Sequence, residues 1–468
     1  MKFIYQNLLI ILLLIGCNQS KDEGSSSVLK SLSGESKRNL WFVSNIEKGK
    51  ADGTSWENAW SYSNFPQDIV KGGDTIFVDG GEKELIYSNV WLIENINGGY
   101  GEPVVIMNGK DSNHNGQVVF YRDTTNLDMD WKTGHNLYVG GHSRNIKFKN
   151  LKFIYAYRNI GIDKVKKIYF DSCTVLVNYE AGFSVGDTKP GTDSLIVENC
   201  NLSVNYPNVK GKWYQGDCWI QSIADNVTIR NNYFVITNGG DNTHSDVIQI
   251  YGKTSTNLQI YNNIFRNNKT YSYLGNNQIM YITSINGIVK IYNNVIISSS
   301  HYSQSPMLDI SASDELDSLL IYNNSFYGKH QQRGIIVSGL HLSPNSITQI
   351  KNNAIYSTGN VAIAIDKASV GNIIINNNIS FAPDNPNQTY QYDGIYKSFV
   401  EWQMLGFDIY GANKNPKYIS IAFDKENLQS ANGSPCINAG DSVPWIKYDK
   451  NGIKRPQGSA YDIGAYER

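Results

Sequence analysis

Short stretches of alternating apolar and polar residues recur along most of the chain, and each one ends in a polar corner. In one copy the apolar side chains are Val227 and Ile229, and two asparagines follow, Asn231 and Asn232. A period of two is typical of a β-strand, whereas a helix repeats its apolar positions every three to four residues. The pattern recurs at 258–263, 289–294, 319–324, 348–353 and 373–378, and in weaker form at 146–151, 168–173 and 195–200.

The spacing of these copies predicts the kind of β-protein. The first corner residue of each copy serves as a marker, and successive markers are 22 to 32 residues apart. They are Asn150, Ser172, Asn199, Asn231, Asn262, Asn293, Asn323, Asn352 and Asn377. A regular period of this size indicates a solenoid, in which each coil pairs only with its neighbours. We therefore predict an all-β fold, a single-stranded parallel β-helix.

The paired asparagines suit the corner that follows each strand. Asparagine tolerates the left-handed backbone of a sharp turn and bonds locally to the main chain. Amides stacked at the same corner of successive coils can also bond to one another as a ladder. We expect these residues to be structural and not catalytic.

Composition and charge limit the size of the core and the kinds of binding partner that the chain can have. A chain of 468 residues with 41% hydrophobic residues can build a large core, and one solenoid can absorb this whole length. The net charge of -1 gives no basic field for nucleic acid, so no nucleic-acid partner is expected. We expect a monomer.

The amino terminus has the layout of a bacterial signal sequence. Lys2 precedes an apolar run, Leu8 to Ile15, that is too short to span a membrane. The run ends at Gly16-Cys17, which resembles the lipobox of bacterial lipoproteins, and residues 18–23 are similar to the export tags of Bacteroidetes surface lipoproteins. The resemblance implies a signal peptide 1–17, lipidation of Cys17, a flexible tether 18–38 and location on the cell-surface side of the outer membrane. The alternative is a plain secretory signal with a chance cysteine.

The other four cysteines do not suggest a metal site. No pair among Cys173, Cys200, Cys218 and Cys436 has the spacing of a zinc site. Cys173 and Cys200 take the same position in adjacent copies, which predicts stacked inward-facing residues; a disulfide is left open.

The two ends of the domain resemble known proteins. The segments 72–81 and 102–107 are similar to the opening coils of bacterial secreted right-handed parallel β-helix proteins of polysaccharide lyase type, and the segments 434–441 and 455–467 resemble their closing segment. The resemblance implies a right-handed helix over 39–468 with an N-terminal cap and an extracellular polysaccharide as partner. We expect a capping segment 39–110, regular coils at about 137–380, and irregular coils and a tail at 381–468.

Two adjacent copies carry polar residues that the repeat does not need. Asp217 and Asp246 are 29 residues apart, and Gln221 and Gln249 are 28 apart, each close to one coil. Neighbouring strands would bring the members of each pair close together. The two registers conflict by one residue, so aligning the glutamines places Asp217 over Ser245, and aligning the aspartates then requires a bulge.

These residues suggest two kinds of catalysis. Two nearby carboxylates, Asp217 and Asp246, could act as acid and base in glycoside hydrolysis. His244, or Lys212 in the long insertion, could instead remove the proton beside a uronate carboxylate, which begins β-elimination. The structural alternative is that both aspartates are turn residues and His244 caps a loop.

Further side chains are predicted to contact substrate. Lysines could neutralise carboxylate or sulfate, aromatic rings could stack on sugars, and amides could bind hydroxyls. The predicted contacts are Lys210, Tyr214, Trp219, Gln221, Gln249, Gln278, Tyr281 and Arg333, with weaker candidates in Arg158, Tyr179, Glu180, His301, Asp309 and His341. No Asp/Glu spacing specifies a calcium site; calcium is the one cofactor left open, and the metal ligands are unassigned.

The sequence thus predicts a surface lipoprotein that cleaves an acidic polysaccharide, containing uronate or sulfate, as a lyase. Two alternatives stay open. One is a glycoside hydrolase that uses Asp217 and Asp246, and the other is a glycan-binding surface protein without catalysis.

Overall fold

The repeated strands stack as successive coils into three long sheets. The computed structural model describes residues 38–122, 130, 132–186, 191–205, 216–238, 245–251, 255–268, 278–299, 305–311, 316–329, 332–359, 361–367, 373–422 and 424–468. Strands are numbered β1 to β39 in chain order. Residues 39–468 form one compact unit.

The first sheet contains the strands that precede the asparagine corners. From one edge to the other its strands are β2 (Trp60–Ser61), β1 (Leu40–Ser44), β3 (Thr75–Val78), β6 (Val104–Asn108), β9 (Arg144–Lys149), β12 (Lys166–Asp171), β15 (Thr192–Glu198), β18 (Ala224–Arg230), β21 (Ser255–Tyr261), β24 (Ile285–Tyr292), β27 (Leu316–Tyr322), β30 (Leu342–Lys351) and β33 (Ile373–Asn376).

The second sheet contains the strands that follow those corners. They are β4 (Glu84–Tyr87), β7 (Gln117–Tyr121), β10 (Lys152–Ile154), β13 (Thr174–Val177), β16 (Asn201–Asn205), β19 (Tyr233–Asn238), β22 (Ile264–Asn267), β25 (Val295–Ser298), β28 (Ser325–Gly328), β31 (Ala354–Ser357), β34 (Ile379–Phe381) and β37 (Ala412–Asn413).

The third sheet completes each coil before the chain returns to the first. Its strands are β5 (Trp91–Ile93), β8 (His135–Val139), β11 (Arg158–Ile162), β14 (Ala181–Val185), β17 (Asp217–Gln221), β20 (Ile248–Ile250), β23 (Met280–Thr283), β26 (Pro306–Ser311), β29 (Arg333–Ser338), β32 (Ile363–Ile365), β35 (Tyr390–Tyr392) and β36 (Ile395–Lys397).

Successive copies of the repeat pair in parallel, as the sequence pattern predicts. Val227 lies opposite Leu258, and Ile229 lies opposite Ile260. Thr75 in the opening segment lies opposite Val105 in the next coil. The predicted parallel β-helix is therefore confirmed.

The inward side chains form one continuous core. Ile229, Ile260 and Ile291 occupy the same position in three coils and are fully buried. On the second sheet Phe234 stacks on Phe265, with ring centroids 4.8 Å apart. Because full burial of such side chains contributes about 1.5–3 kcal/mol each, the stacked core holds the coils together.

The first residue of each corner, an asparagine in every marker except Ser172, adopts the left-handed conformation. All nine markers, from Asn150 to Asn377, have φ between 50° and 57°. This conformation costs most residues about 1–2 kcal/mol, whereas asparagine adopts it readily. The prediction that these residues form sharp corners is confirmed.

The second asparagine of each pair forms a buried amide ladder. In Asn263, Oδ1 accepts from the N–H of Asn232 (2.9 Å) and from its Nδ2 (3.1 Å), while Nδ2 donates to the carbonyl of Ile229 (2.9 Å). The same bonds repeat through Asn294, Asn324, Asn353 and Asn378.

Cysteine takes the ladder position in two earlier coils. The N–H of Cys173 lies 3.3 Å from Sγ of Cys200, and the N–H of Cys200 donates to Oδ1 of Asn232. Both side chains are buried, which confirms the predicted stacking, and the cysteines of the described residues are free thiols.

The closing tail docks on the corners of the later coils. The amide Nδ2 of Asn293 donates to the carbonyl of Tyr448 (2.7 Å), and that of Asn352 donates to the carbonyl of Asp441 (2.8 Å). Within the tail, Arg455 and Glu467 form a fully buried ion pair with an N–O distance of 2.8 Å. The tail also includes the two-stranded sheet of β38 (Tyr418–Ser420) and β39 (Asn427–Ser430).

Short elements close the two ends of the solenoid. At the amino-terminal end Trp41 stacks on Trp60 near two 3-10 turns, Trp56–Asn58 and Gln67–Ile69. The carboxy-terminal end has a 3-10 turn, Pro386–Gln388, and one α-helix, α1 (Phe399–Met404). The described residues contain no helix that is long and apolar enough to cross a membrane.

Helix α1 also ends the amide ladder. Its buried Trp402 stacks on Tyr390 and donates from Nε1 to Asp408 (3.1 Å). Asp408 accepts both the N–H and the Nδ2 of Asn378. Burial raises the pKa of the Asp408 carboxyl to about 6.

Removing one member of the ladder should destabilise the fold far more than changing its neighbour at the corner. Asn263→Ala leaves buried polar atoms of Asn232 and Ile229 without a partner, which should cost about 3 kcal/mol. Asn262→Gly keeps the left-handed corner and should cost less than about 1 kcal/mol. Urea unfolding followed by circular dichroism measures both. Equal losses from the two variants would contradict a structural role for the ladder.

Candidate active site

The outward side chains of the third sheet form a row that crosses the strands. In β26 the buried residues Leu308 and Ile310 flank Asp309, which is partly exposed. Strand pairing continues this position on either side. The outer row consists of Tyr138, Gly161, Ser184, Ile220, Gln249, Tyr281, Asp309, Ile336, Ala364 and Gln391.

Only part of the outer row is open to solvent. Ser184, Ile220 and Gln249 are 3%, 5% and 9% exposed, whereas the three members after them, Tyr281, Asp309 and Ile336, are partly exposed. Large outward side chains on a rigid sheet are well placed to hold a ligand. We call these three adjacent positions the open window.

Asp309 is the acidic group of the open window. Burial raises the pKa of its carboxyl, although a hydrogen bond from the Gln278 side chain and the charge of Arg333 both act to lower it. An acid with a raised pKa that remains accessible is the usual setting for proton transfer in an active site.

Arg333 lies at the start of β29 and supplies a positive charge beside Asp309. Its Nη2 donates to Oε1 of Gln391 (2.6 Å), which holds the guanidinium in place. Burial lowers the pKa of Arg333, while Asp309 and Tyr396 raise it. Since an arginine stays protonated at neutral pH, a cation faces the open window.

Gln278 connects the open window to the strands before it. Its N–H donates to Oδ1 of Asp246 (2.7 Å), and its side chain acts to lower the pKa of Asp309. Within the described part of the chain its buried Oε1 has no hydrogen-bond partner.

The structure brings Asp217 and Asp246 together, as predicted, but buries both completely. The N–H of Asp246 donates to Oδ1 of Asp217 (2.7 Å), so each carboxylate accepts a main-chain bond from the next coil. This geometry favours the structural alternative for the two aspartates. Their catalytic role stays a prediction.

The register between the two coils is also settled. Ile220 lies opposite Gln249, and Gln221 lies opposite Ile250, without a bulge. The aspartates are therefore aligned and the glutamines are not. The expectation that aligned aspartates require a bulge is wrong, because it assumed that both glutamines point to the same side of the sheet.

Two predicted substrate contacts, Trp219 and Gln221, lie in the core, which favours a packing role for both, and their contact with substrate stays a prediction. Trp219 is fully buried and stacks on Phe183, with ring centroids 5.1 Å apart. Its Nε1 lies 3.2 Å from Oε1 of Gln221, whose Nε2 contacts Oγ of Ser255 (3.1 Å). A buried indole with its N–H satisfied is a packing residue.

The remaining predicted contacts have different outcomes. Gln249 and Tyr281 belong to the outer row, with only Tyr281 in the open window, and Arg333 lies beside the window. At the opposite end of the sheet, Arg158 makes a two-pronged ion pair with Glu180, both N–O distances being 2.8 Å. The predicted residues that lie outside the described residues are Cys17, Lys210, Lys212, Tyr214, His244 and His301.

Asp309 was only a weaker candidate in the sequence, and Gln391 was not predicted. A signal for Asp309 was present, because a single acid interrupts the apolar run Met307-Leu-Asp-Ile310. Gln391 carried no such signal, since it follows the irregular segment 381–389 and reaches Arg333 across an intervening strand.

The described residues do not fit a calcium site. No three acidic, histidine or cysteine side chains among them lie close enough together to hold a metal ion. Calcium prefers six or more oxygen ligands, mostly carboxylates.

The raised pKa of Asp309 predicts how it affects stability. The ordinary pKa of an aspartate is 3.8. Between this value and the raised value, the Asp309 carboxyl stays protonated in the folded protein but is ionised in the unfolded chain. The contribution of Asp309 is thus present at low pH and lost as the pH rises through the raised value. Asp309→Asn removes this titration, so the stability of the unaltered protein relative to the variant should fall with rising pH. Urea unfolding across that range tests this, and a relative stability that rises would contradict it.

Comparison with known proteins identifies the fold. No family model and no curated protein matches the sequence. The pectate lyase Pel9A has a similar structure, with TM-score 0.50, 16% identity, and 93% of this chain and 98% of that one covered. XylC in complex with xylose has TM-score 0.44, 9% identity and coverage of 91% and 98%. An alginate lyase from Paenibacillus sp. has TM-score 0.30, 13% identity and coverage of 60% and 92%. The likeness to Pel9A shows that the chain has the parallel β-helix fold.

Proposed function

We propose that this protein is an enzyme that degrades an acidic polysaccharide, bound across the open window of the third sheet. The fold alone specifies no reaction, so the proposal rests on side chains. The observation that carries it is the accessible acid Asp309, with a raised pKa, beside the fixed cation Arg333 and next to Tyr281.

The positive charge of Arg333 favours the binding of an acidic substrate. The planar guanidinium of Arg333 can bind a carboxylate or a sulfate through paired hydrogen bonds. Tyr281 and Ile336 offer apolar surface on either side of Asp309, against which a sugar ring can pack.

The lyase reaction can use both Arg333 and Asp309. A base removes the proton beside the uronate carboxylate, the carbon–oxygen bond to the next sugar breaks, and a carbon–carbon double bond forms. Arg333 would stabilise the charge that develops on the carboxylate. In its protonated form, which burial favours by raising the pKa, Asp309 could give a proton to the departing oxygen. His244 and Lys212 stay the proposed bases, as predicted from the sequence.

The residues of the open window fit a glycoside hydrolase or a non-catalytic glycan binder less well than a lyase. Hydrolysis requires a pair of carboxylates that flank the bond to be cleaved. Asp217 and Asp246 are a pair, but each is completely buried and bonded to main chain. A glycan binder without catalysis would need Tyr281 and Arg333 but would gain nothing from the raised pKa of Asp309.

Anchoring on the cell surface is a further proposal from the sequence. It rests on the apolar run that ends at Gly16-Cys17 and on the polar segment that follows. Lipidation would hold the mature protein at the outer membrane. A Cys17→Ser protein that still fractionates with membranes would contradict it.

Activity assays with variants of the window test the enzyme proposal. The mature protein is incubated with pectin, alginate, glycosaminoglycans and sulfated algal glycans, and the new double bond is followed by ultraviolet absorbance alongside reducing ends. Asp309→Asn and Arg333→Gln should each lower kcat/KM by about 100-fold or more, because the first removes the proton donor and the second removes the charge that stabilises the transition state. Gln259→Ala, on the exposed outer side of the first sheet, is the control and should be unaffected.

The results separate the three functions. Unsaturated products support the lyase, and reducing ends without unsaturation support the hydrolase. Glycan binding without either product would leave only the non-catalytic alternative. Full activity of both Asp309→Asn and Arg333→Gln would contradict the proposed site.

A further inference from the structure

The open window is short along the direction in which the strands stack. Tyr281, Asp309 and Ile336 lie on three adjacent strands. Strands about 4.8 Å apart place the two outer strands of the window about 10 Å from each other, and with half a spacing on either side the window is about 15 Å long, room for about three pyranose units. The outer row itself extends over ten strands, so the limit is set by what covers the row and not by the length of the sheet.

The row is covered on the amino-terminal side of the window. Exposure falls to 9% at Gln249, 5% at Ile220 and 3% at Ser184. These positions are outward by register, since they pair in line with Tyr281 and Asp309. A sugar chain that follows the row cannot continue far in this direction, because the outward side chains there are already buried.

A hairpin borders the window on the carboxy-terminal side. After Ile336 comes Ala364, which is 5% exposed, and then β35, which pairs in antiparallel fashion with β36. Arg333 reaches across the strand of Ala364 to Gln391 on β35. Tyr396 of the same hairpin is 44% exposed and close enough to influence the pKa of Arg333.

We infer that the window is a short site, bordered at both ends, that takes about three units of an acidic glycan and acts close to the end of the chain. This inference rests on the proposed function. Arg333 lies at the border and Asp309 lies one strand inside it. A uronate held by Arg333 therefore occupies the last position, and the bond broken lies one or two sugars from the chain end. The expected products are monosaccharides and disaccharides.

Chain-length dependence tests the size of the site. Oligogalacturonates and alginate oligosaccharides of two to six units serve as probes with the full mature protein. We expect kcat/KM to rise about tenfold or more up to three units and to change less than about twofold beyond that. A rise of about tenfold between four and six units would contradict the inference. So would long oligomers as the first products, together with an early fall in the viscosity of the polymer.

A change at the hairpin tests the border itself. Gln391→Ala removes the contact that holds Arg333 across the end of the window, whereas Gln259→Ala is a matched control on another face. Gln391→Ala should shift the first products towards longer oligosaccharides, with a larger change in KM than in kcat, and Gln259→Ala should not. Identical product patterns for both variants and the unaltered protein would overturn the role of the hairpin.

Binding separates this inference from the proposed function. Calorimetry with the Asp309→Asn protein measures the affinity for the same oligosaccharides without turnover. Affinity that levels off at three units supports the short site even if no glycan is cleaved, in which case only the enzyme proposal fails. Cleavage with affinity that keeps rising to six units overturns the short site alone. If the protein neither binds nor cleaves these oligosaccharides, both the short site and the enzyme proposal are overturned.

Discussion

The structure depends on satisfying the buried polar groups at one corner of each coil. The chain must turn sharply between the first and second sheets, and the main-chain N–H and carbonyl groups there are sealed from water. A buried group without a partner costs about 1–3 kcal/mol, and the cost recurs in every coil. The second asparagine of each pair removes this cost. Its side-chain oxygen accepts from the N–H groups of the preceding coil, and its side-chain NH2 donates to a main-chain carbonyl of that coil.

The same ladder fixes where the outer surfaces lie. Each amide can reach its partner only if the coils are in register, and a slip of one residue would turn every side chain to the other face. The tail then covers parts of the first two sheets. It packs Leu428 and Ala465 on the second sheet, and Val443 and Ile446 on the first. The outer face of the third sheet keeps the open window.

How much of this the sequence could predict depends on the type of position. The asparagine pairs, such as Asn262 and Asn263, were recognised because the left-handed corner favours asparagine at the first position and the hydrogen-bonded ladder requires it at the second. The faces of the third sheet were harder to assign. All five residues of β17 are buried, so neither Trp219 nor Gln221 shows by type which way it points. Asp309 and Gln391 come together with Arg333 only through strand pairing and the closing hairpin, which a repeat pattern does not specify.

A structure of the Asp309→Asn protein with a bound acidic trisaccharide tests the central claim most directly. The account predicts that the sugars lie across Tyr281, residue 309 and Ile336, with a carboxylate on Arg333. A trisaccharide seated on the outer face of the first sheet, or no binding to the third sheet at concentrations that saturate the protein, would contradict it.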